Sequence, residues 1–248
     1  MAPLESHVAA VVVAAGEGRR MGAERPKQFL PLGHRAVFLH SLEFFLHLPE
    51  AERVCLVLGE QALDGEPARA ARTLAAHWGK PLLLAGGGAR RQDSALAGLR
   101  ALPPETDIVL VHDAARPFPP IGATREAIAA ARQCGGAILA SPATDTVKEV
   151  GASGLRIERT LDRSRLWMAQ TPQVFRFADL LSAMETAERD GVDLTDEAMA
   201  FERLGREVRI VPSTIANLKI TIPADLARAE KMLGARRKTA RAGGPFLI

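Results

Sequence analysis

The sequence predicts an α/β fold, a Rossmann-like and mostly parallel central sheet flanked by helices, with one protruding β-hairpin that the sheet does not absorb. Three observations predict it. Short continuous apolar runs such as Val8 to Ala15 and Arg53 to Leu58 suit strands buried on both faces. These runs alternate with helical periodicities at βαβ spacing, which indicates parallel strands joined by crossover helices. Gly16, Gly88 and Asp113 each follow such a run, and ligands bind open parallel sheets beyond the carboxyl ends of their strands.

The first element sets the theme. Val11 to Lys27 begins as an apolar strand and breaks at Gly16 and Gly18, where backbone can approach a ligand closely. Arg19, Arg20 and Lys27 then fall within one short loop. Backbone N–H groups at a strand end, together with fixed cations, form a cradle for phosphate oxygens. Two familiar phosphate loops do not fit. Walker A needs Ser or Thr after its lysine, where this chain has Gln28, and the dinucleotide fingerprint needs a third glycine where Met21 stands. Several cations beside one turn suit a nucleoside triphosphate under attack at phosphorus. A tight turn with solvated arginines is the alternative for a glycine turn taken alone.

The remaining elements follow in order. Val37 to Leu48 has helical spacing, Arg53 to Leu58 is the second strand, Pro67 to His77 a helix and Leu82 to Ala85 the third strand. A second glycine turn, GGGARRQDS, enters a helix from Gln92 to about Ala101. Gly87, Gly88 and the Ser94 hydroxyl suit contacts to a base and sugar, or Asp93 or Ser94 caps the helix. Asp107 to His112 is a strand with Asp113 at its end, Ala123 to Gln133 a helix, and Gly136 to Ala140 a strand. Asp113, Ala114 and Arg116 fit a contact to ribose or Mg²⁺ with the arginine facing an acceptor phosphate, or a structural salt bridge. Residues 142 to 166 read as two extended polar segments around Gly151 to Gly154, a hairpin with almost no apolar face. Gln170 to Phe175 returns to the core, and Ala178 to Arg189 and Asp196 to Leu204 are helices, the second capped by Thr195 or Asp193. Glu207 to Val211 and Leu218 to Thr221 read as strands, and Pro223 opens the last helix. Lys219, in an otherwise apolar strand, points into an anion-lined cleft or snorkels to an edge. His40 and His112 read as packing histidines.

AAGEGRRMG with PKQFLPL, VHDAARPF, ATDTVKEV, LDRSRLWMAQTPQVF and NLKITIPADL, in this order from about Val8 to about Met232, carry a resemblance. They resemble the nucleotidyltransferases that activate sugar and polyol phosphates, most closely the 2-C-methyl-D-erythritol 4-phosphate cytidylyltransferases of the non-mevalonate isoprenoid route. The resemblance implies CTP as nucleotide and a polyol phosphate as acceptor. It places Arg20 and Lys27 at the α- and β-phosphates and the backbone of Ala14, Ala15 and Gly16 at the nucleotide. It places Thr146, Arg163 and Thr171 at the polyol phosphate, with Lys219 and Arg163 orienting that phosphate. It further implies that the hairpin, residues 142–166, is an arm embracing a second subunit of a homodimer. Some relatives carry an acid after the glycine pair, where this chain has Ala89. Ribitol 5-phosphate is the alternative acceptor, and a guanylyl- or uridylyltransferase, a non-catalytic nucleotide-binding regulator and a nucleic-acid binder are more distant readings.

Composition agrees with this reading. A chain of 248 residues that is 47% hydrophobic has ample material for one α/β domain, and none of its apolar runs approaches the ~20 residues of a membrane span. No signal peptide, zinc spacing or disulfide framework is expected, and Cys55 and Cys134 suit a reducing cytoplasm. Five cations and no acids follow Glu230, so residues 1–230 carry a net charge of −2 against +3 for the whole chain. The basicity is therefore local, which argues against nucleic acid as the partner. The expected organisation is one domain, residues 1–234, and a flexible basic tail, residues 235–248, with no fused second enzyme. No Ser-His-Asp order or metal motif is visible, and Mg²⁺ is expected as the counterion of a triphosphate.

Overall fold

β1 (Val8–Ala14) lies inside a seven-stranded sheet, paired in parallel with β4 (Arg53–Leu58) on one side and β6 (Ile108–Asp113) on the other. The computed structural model describes residues 7–16, 25–152, 154–214 and 216–241. Between β1 and β4 come a 3-10 turn (Lys27–Phe29), the short strands β2 (Pro31–Leu32) and β3 (Arg35–Ala36), and α1 (Val37–His47). α2 (Glu60–Leu63) and α3 (Glu66–Trp78) lead to β5 (Leu82–Gly86), and α4 (Arg91–Arg100) leads to β6. α5 (Ile121–Cys134) and β7 (Gly136–Pro142) precede the hairpin of β8 (Lys148–Val150) and β9 (Ile157–Thr160). β10 (Trp167–Arg176), α6 (Phe177–Arg189), α7 (Glu197–Arg203), β11 (Arg209–Pro212) and α8 (Pro223–Arg241) complete the chain.

The sheet order is β11-β7-β10-β6-β1-β4-β5, and β10 alone runs against its neighbours. Successive strand residues point to opposite faces, and both faces are buried. Ala10, Val12, Leu56 and Leu110 meet Phe38, Leu42 and Phe45 of α1 and Ile128 of α5. Val11, Val57 and Val111 meet Leu99 of α4, Leu180 of α6 and Phe201 of α7. Each fully buried Leu or Phe contributes roughly 1.5–3 kcal/mol, so the paired layers hold the strand ends in fixed relation. A third cluster, Leu32, Val37, Phe118, Ile220 and Ala229, seats α8.

Several boundaries differ from expectation. Leu218 to Thr221 is not a strand: Ile220 donates its N–H to the Ala115 carbonyl at 2.8 Å, and Thr221 and Ile222 donate theirs to the Asp225 carboxylate. Those donors serve the loop after β6 and the start of α8 instead of a ladder. The last strand shifts to Arg209–Pro212, where it pairs with β7. Neither Thr195 nor Asp193 caps α7; Asp196 does, accepting the Met199 N–H at 3.1 Å. α8 continues past residue 234 to Arg241, and the Arg236 guanidinium lies 4.5 Å from the centre of the Phe118 ring. The solvated tail expected from Arg236 therefore does not begin there, because packing and a cation–π contact hold that turn. Residues 242–248 lie outside the described residues. The hairpin forms a separate two-stranded sheet with Lys148 opposite Thr160 and Glu149 opposite Arg159. It is less polar than expected, since Val150, Leu155 and Ile157 are all exposed on it.

Gly98 shows how closely α4 lies on the sheet. A Cβ there would come within 2.4 Å of Val11 Cγ1 and 2.8 Å of Val57 Cγ2. Gly98→Ala should therefore destabilise the fold by about 1–3 kcal/mol through overpacking, although alanine gains about 1 kcal/mol in helix propensity. Equilibrium denaturation checks this, and a variant as stable as the parent would contradict the packing account.

Candidate active site

The carboxyl end of β1 is fixed by a side chain that the sequence reading passed over. Gln28, buried, donates from Nε2 to the Ala14 carbonyl at 2.8 Å and to the Gly16 carbonyl at 2.6 Å. One amide thus ties the strand end to the 3-10 turn that begins at Lys27. Gly18 and Arg20, with Arg19, lie outside the described residues.

The second glycine turn leans on the first. Gly87 donates its N–H to the Leu58 carbonyl at 2.7 Å, crossing the end of β4. A Cβ on Gly87 would stand 2.2 Å from the Ala15 Cβ and 2.9 Å from Ser94 Oγ, and one on Gly88 would stand 2.5 Å from the Asp93 Cβ. Glycine is required here because the Ala15 Cβ and the Ser94 and Asp93 side chains already fill the space that a Cβ would need. Ser94 is buried, and its hydroxyl faces the carbonyls of Gly88 at 3.4 Å and Arg90 at 3.2 Å. Asp93 takes the capping role, with Oδ2 accepting the Arg90 N–H at 3.0 Å.

On the other side of β1, Asp113 sits level with Val13, and Ala114 donates its N–H to the Val13 carbonyl at 3.0 Å. Asp113 is buried and held by two cations: Arg91 Nε donates to Oδ1 at 2.8 Å and Lys219 Nζ to Oδ2 at 2.5 Å. Burial alone would push this carboxyl up, but the Arg91 guanidinium and the Lys219 ammonium hold it well below the usual carboxylate range. Arg91 also forks onto Glu197, Nη1 to Oε1 at 2.8 Å and Nη2 to Oε2 at 3.0 Å. Arg91 and Glu197 were not singled out from sequence. The RRQDS and TDE stretches read there as helix starts, and only the meeting of α4, α7 and β6 makes them one network.

Thr171 and Arg116 face inward. Burial pushes the His112 imidazole down to about 4, so it is neutral near pH 7. Its Nε2–H donates to the Arg116 carbonyl at 2.9 Å, so Nδ1 accepts the Thr171 hydroxyl at 3.0 Å, and Thr171 Oγ1 in turn accepts the Asp113 N–H at 3.1 Å. Arg116, buried, donates from Nη1 to the Asn217 carbonyl at 2.7 Å and from Nη2 toward the Ala169 carbonyl at 3.4 Å. The guanidinium expected to face an acceptor phosphate thus joins the loop after β6 to the segment carrying Lys219. Asn217 donates to the Thr171 carbonyl at 2.9 Å and to Gln170 Oε1 at 3.0 Å, bracing the same junction. Thr146 and Arg163 sit on the arm, both exposed, with Arg163 Nη1 donating to the Thr144 carbonyl at 2.6 Å. The structure therefore brings Asp113, Lys219 and Thr171 together beside β1, and the arm residues stand apart from that network.

The histidines give this region a pH signature. His40 is also buried and shifted down to about 4 by burial. Each folded imidazole takes up a proton only near pH 4, whereas an unfolded one does so near 6.5, so the unfolded state binds more protons in between. Stability should fall as pH drops through that window, by at most ~1.4 kcal/mol per unit for each histidine. The exposed His7, raised by its pair with Glu52, works weakly in the opposite direction. Urea midpoints between pH 7 and 4 test this: His112→Gln should flatten the slope, and an unchanged slope would refute the assignment.

The family described as IspD: 2-C-methyl-D-erythritol 4-phosphate cytidylyltransferase matches residues 8–235 of the chain. The 2-C-methyl-D-erythritol 4-phosphate cytidylyltransferase of Geobacillus kaustophilus is 41% identical over 92% of this chain and 97% of its own. The bifunctional enzyme IspD/IspF of Desulforudis audaxviator is 42% identical over 96% of this chain, which spans 58% of that protein's length. The crystal structure of 4-diphosphocytidyl-2C-methyl-D-erythritolsynthase from Anaerococcus prevotii shares the fold with a TM-score of 0.80 at 26% identity, over 93% of this chain and 97% of that one. A match running from β1 into α8, with near-complete coverage of a relative of similar length, shows that the chain belongs to the 2-C-methyl-D-erythritol 4-phosphate cytidylyltransferase family.

Proposed function

We propose that this chain transfers the cytidylyl group of CTP to 2-C-methyl-D-erythritol 4-phosphate, forming 4-diphosphocytidyl-2-C-methyl-D-erythritol and releasing pyrophosphate. The observation that carries the reading is the contact of two glycine turns at the end of β1, flanked by the Lys219–Asp113 pair. A phosphate oxygen of the acceptor attacks the α-phosphorus, the bond to the bridging oxygen breaks, and pyrophosphate leaves with that electron pair. The acceptor is already ionised at neutral pH, so positioning and charge stabilisation supply the catalysis. Lys27 beside the first turn and Lys219 beside Asp113 are the described residues suited to the growing negative charge, and backbone at Ala15, Gly16, Gly87 and Gly88 borders the nucleotide. The ribitol 5-phosphate reading is not favoured by the family match.

Mg²⁺ belongs with the substrate in this reading, arriving bound to the triphosphate. Both carboxylate oxygens of Asp113 are engaged by cations, and no group of three His, Cys, Asp or Glu residues suited to a metal occurs among the described residues. Asp113 is thus poorly fitted to be a ligand, and its part is to hold Lys219.

The arm supports a homodimer. Leu155 is 99% exposed at its tip and Ile157 58% exposed, and Trp167 and Met168 continue the apolar surface at its base. A second copy would cover this surface and place Arg163 and Thr146 at a shared acceptor site. Among the described residues no helix is long and apolar enough to cross a membrane. A cytoplasmic setting, part of the proposal, suits the free thiols of Cys55 and Cys134.

Pyrophosphate release, measured with each of the four nucleoside triphosphates and several polyol phosphates, should be fastest with CTP and 2-C-methyl-D-erythritol 4-phosphate; faster turnover with ribitol 5-phosphate would overturn the reading. Lys27→Ala should lower kcat about 10²–10³-fold with little change in KM, whereas Arg163→Ala should also raise KM for the acceptor; parental kinetics in either variant would contradict its role. Sedimentation should show a dimer that Leu155→Asp with Ile157→Asp converts to monomer.

A further inference from the structure

Glu197 is 0% exposed and contributes nothing to the cap of its own helix. That end of α7 is already secured: Asp196 accepts the Met199 N–H, and Gln173 holds both Asp196 Oδ2 at 2.8 Å and the Ala198 N–H at 3.0 Å. The Glu197 carboxylate is spent wholly on the Arg91 fork. A buried ion pair is weak evidence for stability, since an apolar pair of similar volume often serves as well. Its consequence here is geometric. With Nη1 and Nη2 taken by Glu197, Arg91 has only Nε for Asp113 Oδ1, which leaves Oδ2 for Lys219. The row alternates in charge and runs from a fully buried carboxylate to an ammonium whose side chain is 34% exposed.

We infer that Glu197 is a positioning residue for nucleotidyl transfer: by occupying the Arg91 fork it keeps one Asp113 oxygen available to aim Lys219. This rests on the function proposed above. Releasing the fork lets Arg91 bind both Asp113 oxygens, the geometry a guanidinium prefers with a carboxylate, and Lys219 loses its anchor. A lysine on a flexible four-carbon stem then no longer meets the developing charge in one place.

A double-mutant cycle tests this in the full chain. Glu197→Gln should lower kcat tenfold or more with KM for CTP within twofold, yet change the residual kcat of Lys219→Ala by less than twofold. The same factor in both backgrounds, or no effect on the parent, would overturn the inference. Should Glu197→Gln fail to fold, Glu197→Asp keeps the charge and withdraws the carboxylate from the Arg91 fork, and the same non-additivity is expected; additivity there overturns it equally. A readout without turnover separates this from failure of the proposed reaction. Competitive acetylation of Lys219, followed by mass spectrometry, should be faster in Glu197→Gln or Glu197→Asp than in the parent, and an unchanged rate overturns the inference even if the parent proves inactive toward CTP.

Discussion

A carboxylate buried at the end of a parallel strand is unstable unless cations reach it, and much of this fold determines which cations reach Asp113. Arg91 comes from the first turn of α4, and Lys219 from the extended segment before α8. Each therefore depends on a different layer. α4 is held against the sheet by Gly98 and Leu99, and the Lys219 segment is held by Ile220 in the third core cluster and by the Arg116–Asn217 contact. Removing one partner of such an arrangement leaves an uncompensated charge, which costs about 3–5 kcal/mol. Folding and site assembly are consequently hard to separate here: the electrostatics that make Asp113 tolerable also place an ammonium beside the end of β1.

Steric constraint does the corresponding work on the other side of β1. The two glycine turns approach until there is no room for a Cβ on Gly87, because Ala15 and Ser94 fill the space. Gln28 then closes the first turn from below by binding carbonyls on both sides of Ala15. Hydrogen bonds to backbone carbonyls leave the turn N–H groups uncommitted to that amide, and N–H groups are what a phosphate requires. The shape of this strand end is thus set by the packing of the Ala15, Ser94 and Gln28 side chains.

What was legible in the sequence followed from local physics. Apolar runs with alternating helices gave the sheet, and glycines at strand ends marked the edge where Ala15, Gly87 and Asp113 gather. What stayed hidden depends on distant partners. Arg91 looked like one of a pair of arginines at a helix start, and Glu197 like an acid in a first turn, since a sequence separation of 106 carries no local signal of the ion pair. Leu218 to Thr221 looked like a strand because its composition is apolar, whereas its donors are claimed by Ala115 and Asp225. Arg116 looked like a contact to an acceptor phosphate because it follows a strand end, but its guanidinium meets carbonyls of two other segments.

The charge balance of the Asp113 network also bears on how the proposed reaction divides its labour. Glu197, Arg91, Asp113 and Lys219 sum to zero, so this row contributes direction more than net attraction. A bound triphosphate carries several negative charges, and in a partly buried site these must be met by cations that are not already balanced within the same row. Candidates outside the row include, among the described residues, Lys27, which lies in the 3-10 turn that Gln28 fixes, and Arg163 on the arm. In the proposed reading the rigid sheet edge therefore sets geometry, while Lys27 and Arg163 add cations from chain segments outside the sheet, Arg163 from an arm that exposes apolar side chains.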